Sequence, residues 1–340
     1  MVNTRMKSRV IGATCVCLSV ANAAAVARGQ EQSFEYDVPF RTVRAAGNAA
    51  YPGGELSSNA GVGAVAYEYR IAEREVTATE WLEFVRAYTP HYTGNPEVPG
   101  LNGNWIRYDF APGQYHVVAG AEQYAADMSW RMAARFCNWL HNGKVNEAWA
   151  FESGAYDTST FNDVSPFTDQ LTHSPGARFW IPTRDEWFKA AYFDPDRFGP
   201  NLPGYWLYPD GGNDPLIIGL PEEGGETSAG LWGPHPFEPY VNVGSYPHVR
   251  SPWGLLDVSG GLGEWLEDAD PERQGRGAYG TSVFHSFPEF RDRADYNGGG
   301  SSPGDFSAPY GLRLAATIPA PGAVMLVILG GCAFAQRTSR

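Results

Sequence analysis

The sequence predicts an α+β fold rich in loops. Three observations predict it. One alternating, strand-like stretch and three capped helical stretches all fall before residue 194. From 194 to 316, Pro, Gly, Asp and Asn punctuate short apolar pieces and no long helix is readable. Finally, 40 Gly and 11 Trp in 340 residues describe turns held by large aromatic plates. An apolar content of 43% suffices for a packed core. No repeat with a period of roughly 20–50 residues is present and no linker stands out, so one domain is expected.

The elements follow in order. VAYEYRI (65–71) alternates apolar and polar residues and predicts a strand. In TATEWLEFVRAY (77–88), Thr77 and Glu80 have capping-box spacing, Trp81, Phe84, Val85 and Tyr88 recur at helical spacing, and Pro90 stops the helix. SWRMAARFCNWLHNGK (129–144) predicts a second helix capped by Ser129, with Ala133, Phe136, Cys137 and Leu140 on one face and Gly143 at its end. That register makes Cys137 a small core residue rather than a nucleophile. RFWIPTRDEWFKAAYF (178–193) gives a short strand, then a helix. Thr183 and Glu186 repeat the capping spacing there, and Trp187, Ala190 and Ala191 face inward.

Both ends read as processing segments. Arg5, Lys7 and Arg9 precede an apolar run at 10–27 that ends in Ala-x-Ala patterns, so 1–27 is expected to be a signal peptide. Residues 28–61, rich in Ala, Gly, Ser and Asn, form a lead-in to the domain at 62–316. Residues 317–340 contain IPAPGAVMLVILGGCAFAQRTSR, which resembles a PEP-CTERM sorting tail, although Ala320 stands where that tail usually has Glu. These ends place the protein outside the cytoplasm, in the cell envelope or beyond it, with membrane contact only through the tail before processing. The whole chain carries −13. The end segments hold five of the 25 basic residues and none of the 38 acidic ones, so the body between them is more acidic still. A phosphate backbone would be repelled, so nucleic acid is not an expected partner. Three of the four cysteines lie in the end segments, which leaves Cys137 no intrachain disulfide partner in the body.

Common catalytic templates fail. The seven histidines include no H-E-x-x-H pair, and there is no Walker A motif. GSSPG (300–304) matches G-x-S-x-G, but its flanks YNGGG and DFSAP are loop-like, whereas a nucleophile elbow needs a strand before and a helix after.

The order of pieces carries more. YRIAEREVTATEWLEFV, MSWRMAARFCNWL, ARFWIPTRDEWFKAAYFDP, VGSYPHVRSPWGLLDVSGGLGEW, RGAYG and YGLRLA run in series over 62–316. In that series the chain resembles the formylglycine-generating enzyme (sulfatase-modifying factor) family, whose fold is a loop-rich variant of the C-type lectin architecture. The resemblance implies a structural calcium at WGLLDVSGGLGEW, held by the side chains of Asp257 and Glu264 and the carbonyls of Gly260 and Leu262. Mixed carboxylate and carbonyl oxygens from a tight turn suit Ca²⁺. Gly261 and Gly263 depart from the family's Asn and first Trp there. The family's oxidase chemistry uses a copper-binding cysteine pair just after R-G-G-S-W/Y. Ungapped matching puts Ser282 and Phe287 at those two positions, and a hydroxyl and a phenyl ring cannot bind Cu(I) as thiolates do. Copper is therefore not expected.

Two functions follow. The first is an exported, calcium-stabilised, non-catalytic binding module with a groove near 276–296 for a peptide or glycan. The second is a divergent formylglycine-generating-type oxidoreductase acting on a peptide or small thiol, with Ser282, His285 and Ser286 as catalytic candidates. If His285 and Ser286 are neighbours on a strand, they point opposite ways, which makes them packing or surface residues.

Overall fold

The computed structural model describes residues 38–319, apart from 57, 95–99, 235–239, 273 and 297. The expected signal peptide and all of the tail beyond residue 319 lie outside the described residues. Strand β1 (Phe40–Val43) precedes β2 (Tyr69–Ala72), helix α1 (Ala78–Tyr88), the hairpin β3 (Ile106–Asp109) and β4 (Gln114–Val117), α2 (Trp130–His141) and α3 (Ala148–Glu152). Then come β5 (Phe179–Trp180), α4 (Arg184–Tyr192), the hairpin β6 (Phe193–Asp194) and β7 (Gly204–Tyr205), and β8 (Gly263–Ala269). The described residues end with β9 (Arg276–Tyr279), α5 (Pro288–Arg291), β10 (Gly299–Ser301), β11 (Tyr310–Gly311) and β12 (Ala315–Ala316).

The three predicted helices form where their caps specify. Thr77 accepts the Glu80 N–H while Glu80 reaches back to the Thr77 N–H, and Thr183 and Glu186 do the same for α4. Ser129 caps α2 by accepting the Met132 N–H. The predicted inner face of α2 is buried, Cys137 included. The strand expected at 65–71 starts only at Tyr69, because its partner β1 begins pairing there, at Val43. The lead-in thus supplies an edge strand of the domain, with Val38, Phe40, Val43 and Tyr51 in the core.

Two four-stranded sheets organise the rest, in the orders β1-β2-β12-β5 and β10-β9-β8-β11. The last strands among the described residues enter both sheets: β11 lies parallel to β8, and β12 pairs with β2 and β5. This segment therefore ties β2, made more than 200 residues earlier, to the later strands β5 and β8. The core is aromatic. Phe84 packs against Trp81, Phe136, Trp139 and Phe151 with ring centroids 4.6–5.9 Å apart. Among the described residues, no helix is long and apolar enough to cross a membrane.

Candidate functional site

The turn at 257–262 leads into β8. Asp257, Gly260 and Gly261 all take positive φ, at 53°, 101° and 61°. Asp257 Oδ2 accepts the Gly244 N–H at 2.6 Å. Burial pushes its carboxyl up to about 6, against the lowering effect of that bond. Gly261 is required for a further reason: a Cβ there would collide with the carboxylate of Glu75.

Glu264, buried on β8, has its oxygens filled. Arg313 donates from Nε (3.0 and 2.9 Å) and Nη2 (2.6 Å), and Trp187 donates its indole N–H at 2.5 Å. Arg313 also donates to the carbonyls of Ala72, Glu73 and Leu256, at 2.8–3.1 Å. Both partners are essentially inaccessible, at 0% and 1% side-chain exposure, so the pair is a fully desolvated ion pair whose remaining donors are satisfied. The structure brings Asp257 and Glu264 to one buried neighbourhood, but Glu264 faces the guanidinium.

Sequence reasoning missed Glu75 and Arg313. Glu75 opens the EVT motif and is fully buried. Its Oε1 accepts the Leu262 N–H at 3.2 Å, and its Oε2 has no partner among the described residues. Burial and then the neighbouring Glu264 push its carboxyl well above the usual range. Arg313 lies in the YGLRLA motif, but nothing local in the chain announces a partner 49 positions away.

The three catalytic candidates lie beyond β9. Residues 282–286 form a turn and not a strand, so the opposite-faces expectation for His285 and Ser286 does not apply. The turn brings His285 back onto Ser282. The Ser282 N–H donates to His285 Nδ1 at 2.9 Å, and Ser282 Oγ lies 3.4 Å from the same nitrogen. Ser286 is exposed and outside that pair. Ser282 Oγ also accepts the Phe284 N–H at 3.3 Å. His285 Nδ1 is thus occupied as an acceptor of a backbone N–H, and no carboxylate orients its other nitrogen among the described residues. That geometry lacks the base and orienter of an activated serine. Burial, then Arg291, holds the imidazole below its usual pKa.

The positions matched to the copper-binding cysteines do not fit copper. Ser282 is 2% exposed, while Phe287 is 69% exposed and takes φ 59°. Cys137 sits in the helical core, where burial pushes its thiol well above the ordinary range. The calcium expectation fits in part. The turn has the backbone angles, and Asp257 offers a carboxylate, but Glu264 is taken by Arg313 and Trp187.

Beside this turn opens a small cavity of about 30 Å³. Tyr279, Gly280, His285, Arg291, Tyr296 and Tyr310 are among the residues lining it. The Arg276 guanidinium that begins β9 stacks 3.8 Å above the Trp130 ring and donates to the carbonyls of Asp169, Gln170 and Glu267. It anchors the strand that carries Tyr279 to the edge of the cavity.

The fold and this site define an α+β scaffold of short sheets that presents its polar positions on loops at the end of β9. The chain belongs to the sulfatase-modifying factor enzyme 1-like domain family, whose model matches residues 43–318. Among solved structures, variable protein 1 of Treponema denticola is similar at 19% identity and a TM-score of 0.51, over 82% of this chain and 95% of that one. CarF, seen in a crystal structure, is 18% identical with a TM-score of 0.47, over 83% of this chain and 99% of that one. No curated protein matches the chain.

Proposed function

We propose that this chain is a non-catalytic, ligand-binding member of its family, acting outside the cytoplasm. The observation that carries the reading is the state of the two matched cysteine positions, a buried serine held by His285 and an exposed phenylalanine. Without a thiolate pair there is no protein ligand set for Cu(I). The cavity beside β9 remains as the place where a ligand would enter. The export reading rests on the end segments of the sequence. Incubation of the purified protein with copper, oxygen and a Cys-x-Pro-x-Arg peptide should leave the peptide mass unchanged. Loss of thiol mass would establish the oxidoreductase alternative instead.

Calcium enters the same proposal in a narrower form. Asp257 and the carbonyls of Gly260 and Leu262 would supply three oxygens, and water the rest of the six to eight that Ca²⁺ takes. Such a site is weaker than one with two carboxylates. Thermal melting with and without a chelator tests it. The expected result is a small fall in midpoint that Asp257→Ala abolishes, and an identical midpoint in every arm removes calcium from the account.

A further inference from the structure

We infer that the cavity beside β9 binds a carboxylate borne on a flexible stem, an acidic side chain of a peptide. This rests on the binding-module reading above and names the ligand class for that site.

The first support is the hydrogen-bond polarity of the lining. His285 Nδ1 accepts a backbone N–H that can only donate. The ring is therefore the neutral tautomer with its proton on Nε2, so the side chain that His285 contributes to the cavity lining carries an N–H donor. Arg291 lines the same cavity, is exposed, and has no acidic partner among the described residues. Its guanidinium lies over the Tyr296 ring at 5.7 Å. Two nearby acids are engaged elsewhere. Asp295 is held by Arg293 through two bonds of 2.8 Å, and Asp292 accepts the Ser259 hydroxyl at 2.5 Å. An imidazole N–H and an unpaired guanidinium together call for an anionic acceptor.

The second support is size. A cavity of about 30 Å³ admits a small planar headgroup. It does not admit a pyranose ring, so a sugar acid, whose carboxylate sits one bond from its ring, cannot seat that group fully. An Asp or Glu side chain can. Phe287 and Phe290, 69% and 51% exposed, flank Arg291 along the chain at α5 and offer apolar surface to a residue beside the acid. The chain's net charge of −13 repels anions at long range, so recognition must arise at contact distance.

Titration calorimetry with three terminally blocked peptides, carrying Glu-Phe, Gln-Phe or Lys-Phe in one glycine frame, tests the inference. The Glu-Phe peptide should bind roughly tenfold tighter than Gln-Phe, and Lys-Phe more weakly than both. Arg291→Gln should erase the preference for Glu, and Arg291→Lys should keep part of it, since Lys retains the charge but not the planar fork. Unchanged melting of both variants shows that the fold is intact. Equal binding of Glu-Phe and Gln-Phe overturns the carboxylate while leaving a binding cavity. Absence of binding by all three peptides also overturns it, and the thiol-mass assay then judges the wider reading on its own.

Discussion

At the scale of single residues, the buried acids carry the most chemistry. Asp292 is fully buried, with its Oδ2 on the Ser259 hydroxyl, and burial pushes its carboxyl up to about 7 from an ordinary 3.8. A raised folded-state value means the native protein holds the proton more tightly than the unfolded chain. Below about pH 4 both states are protonated and the group contributes nothing. Between about 4 and 7 the unfolded chain ionises first, so the native state loses stability as pH rises. Asp292→Asn should remove that slope and be more stable than the parent at pH 8 by roughly 2–4 kcal/mol, read from urea midpoints at pH 5 and pH 8. A residue's type is legible in the sequence, but its desolvation is not. Asp292 and the half-exposed Glu289 look alike in the chain and differ only through what packs on them.

At the scale of elements, the helices were legible because their signals are local. A capping box spans four residues, and an amphipathic face repeats every three or four. In α4 the Thr183 hydroxyl accepts the Glu186 N–H at 3.1 Å and Glu186 accepts the Thr183 N–H at 2.8 Å. Thr183→Ala should cost about 1 kcal/mol and Thr183→Ser much less, measured as thermal midpoints. Glu186 also receives the indole N–H of Trp180 at 3.0 Å and the Tyr67 hydroxyl at 3.0 Å, so the cap joins α4 to the first sheet. The short strands were less legible. The pairs β6–β7 and β11–β8 join only two residues on each strand, too few to show alternation.

At the scale of the molecule, Arg313 is the cross-link. Its guanidinium joins Glu264 to carbonyls of the Ala72–Glu73 segment and of Leu256. Arg313→Met should destabilise by roughly 3–5 kcal/mol, because it leaves Glu264 charged and buried beside Glu75. Adding Glu264→Gln should recover part of that loss, since the amide oxygen still accepts from Trp187. Chemical denaturation of the single and double variants measures both effects. By itself the sequence determined the class of fold, the three helices with their caps, the core role of Cys137 and the family motifs in order. All of these depend on residue identity and near neighbours. Only the tertiary structure decided that Glu264 faces Arg313, that Glu75 lies buried against Gly261, that Ser282 pairs with His285, and that Arg291, with no acidic partner among the described residues, lines a small cavity. Each of those depends on how the chain folds back on itself and what water is excluded, and neither the Glu264–Arg313 pair across 49 positions nor the close approach of Glu75 to Glu264 leaves a local pattern to read.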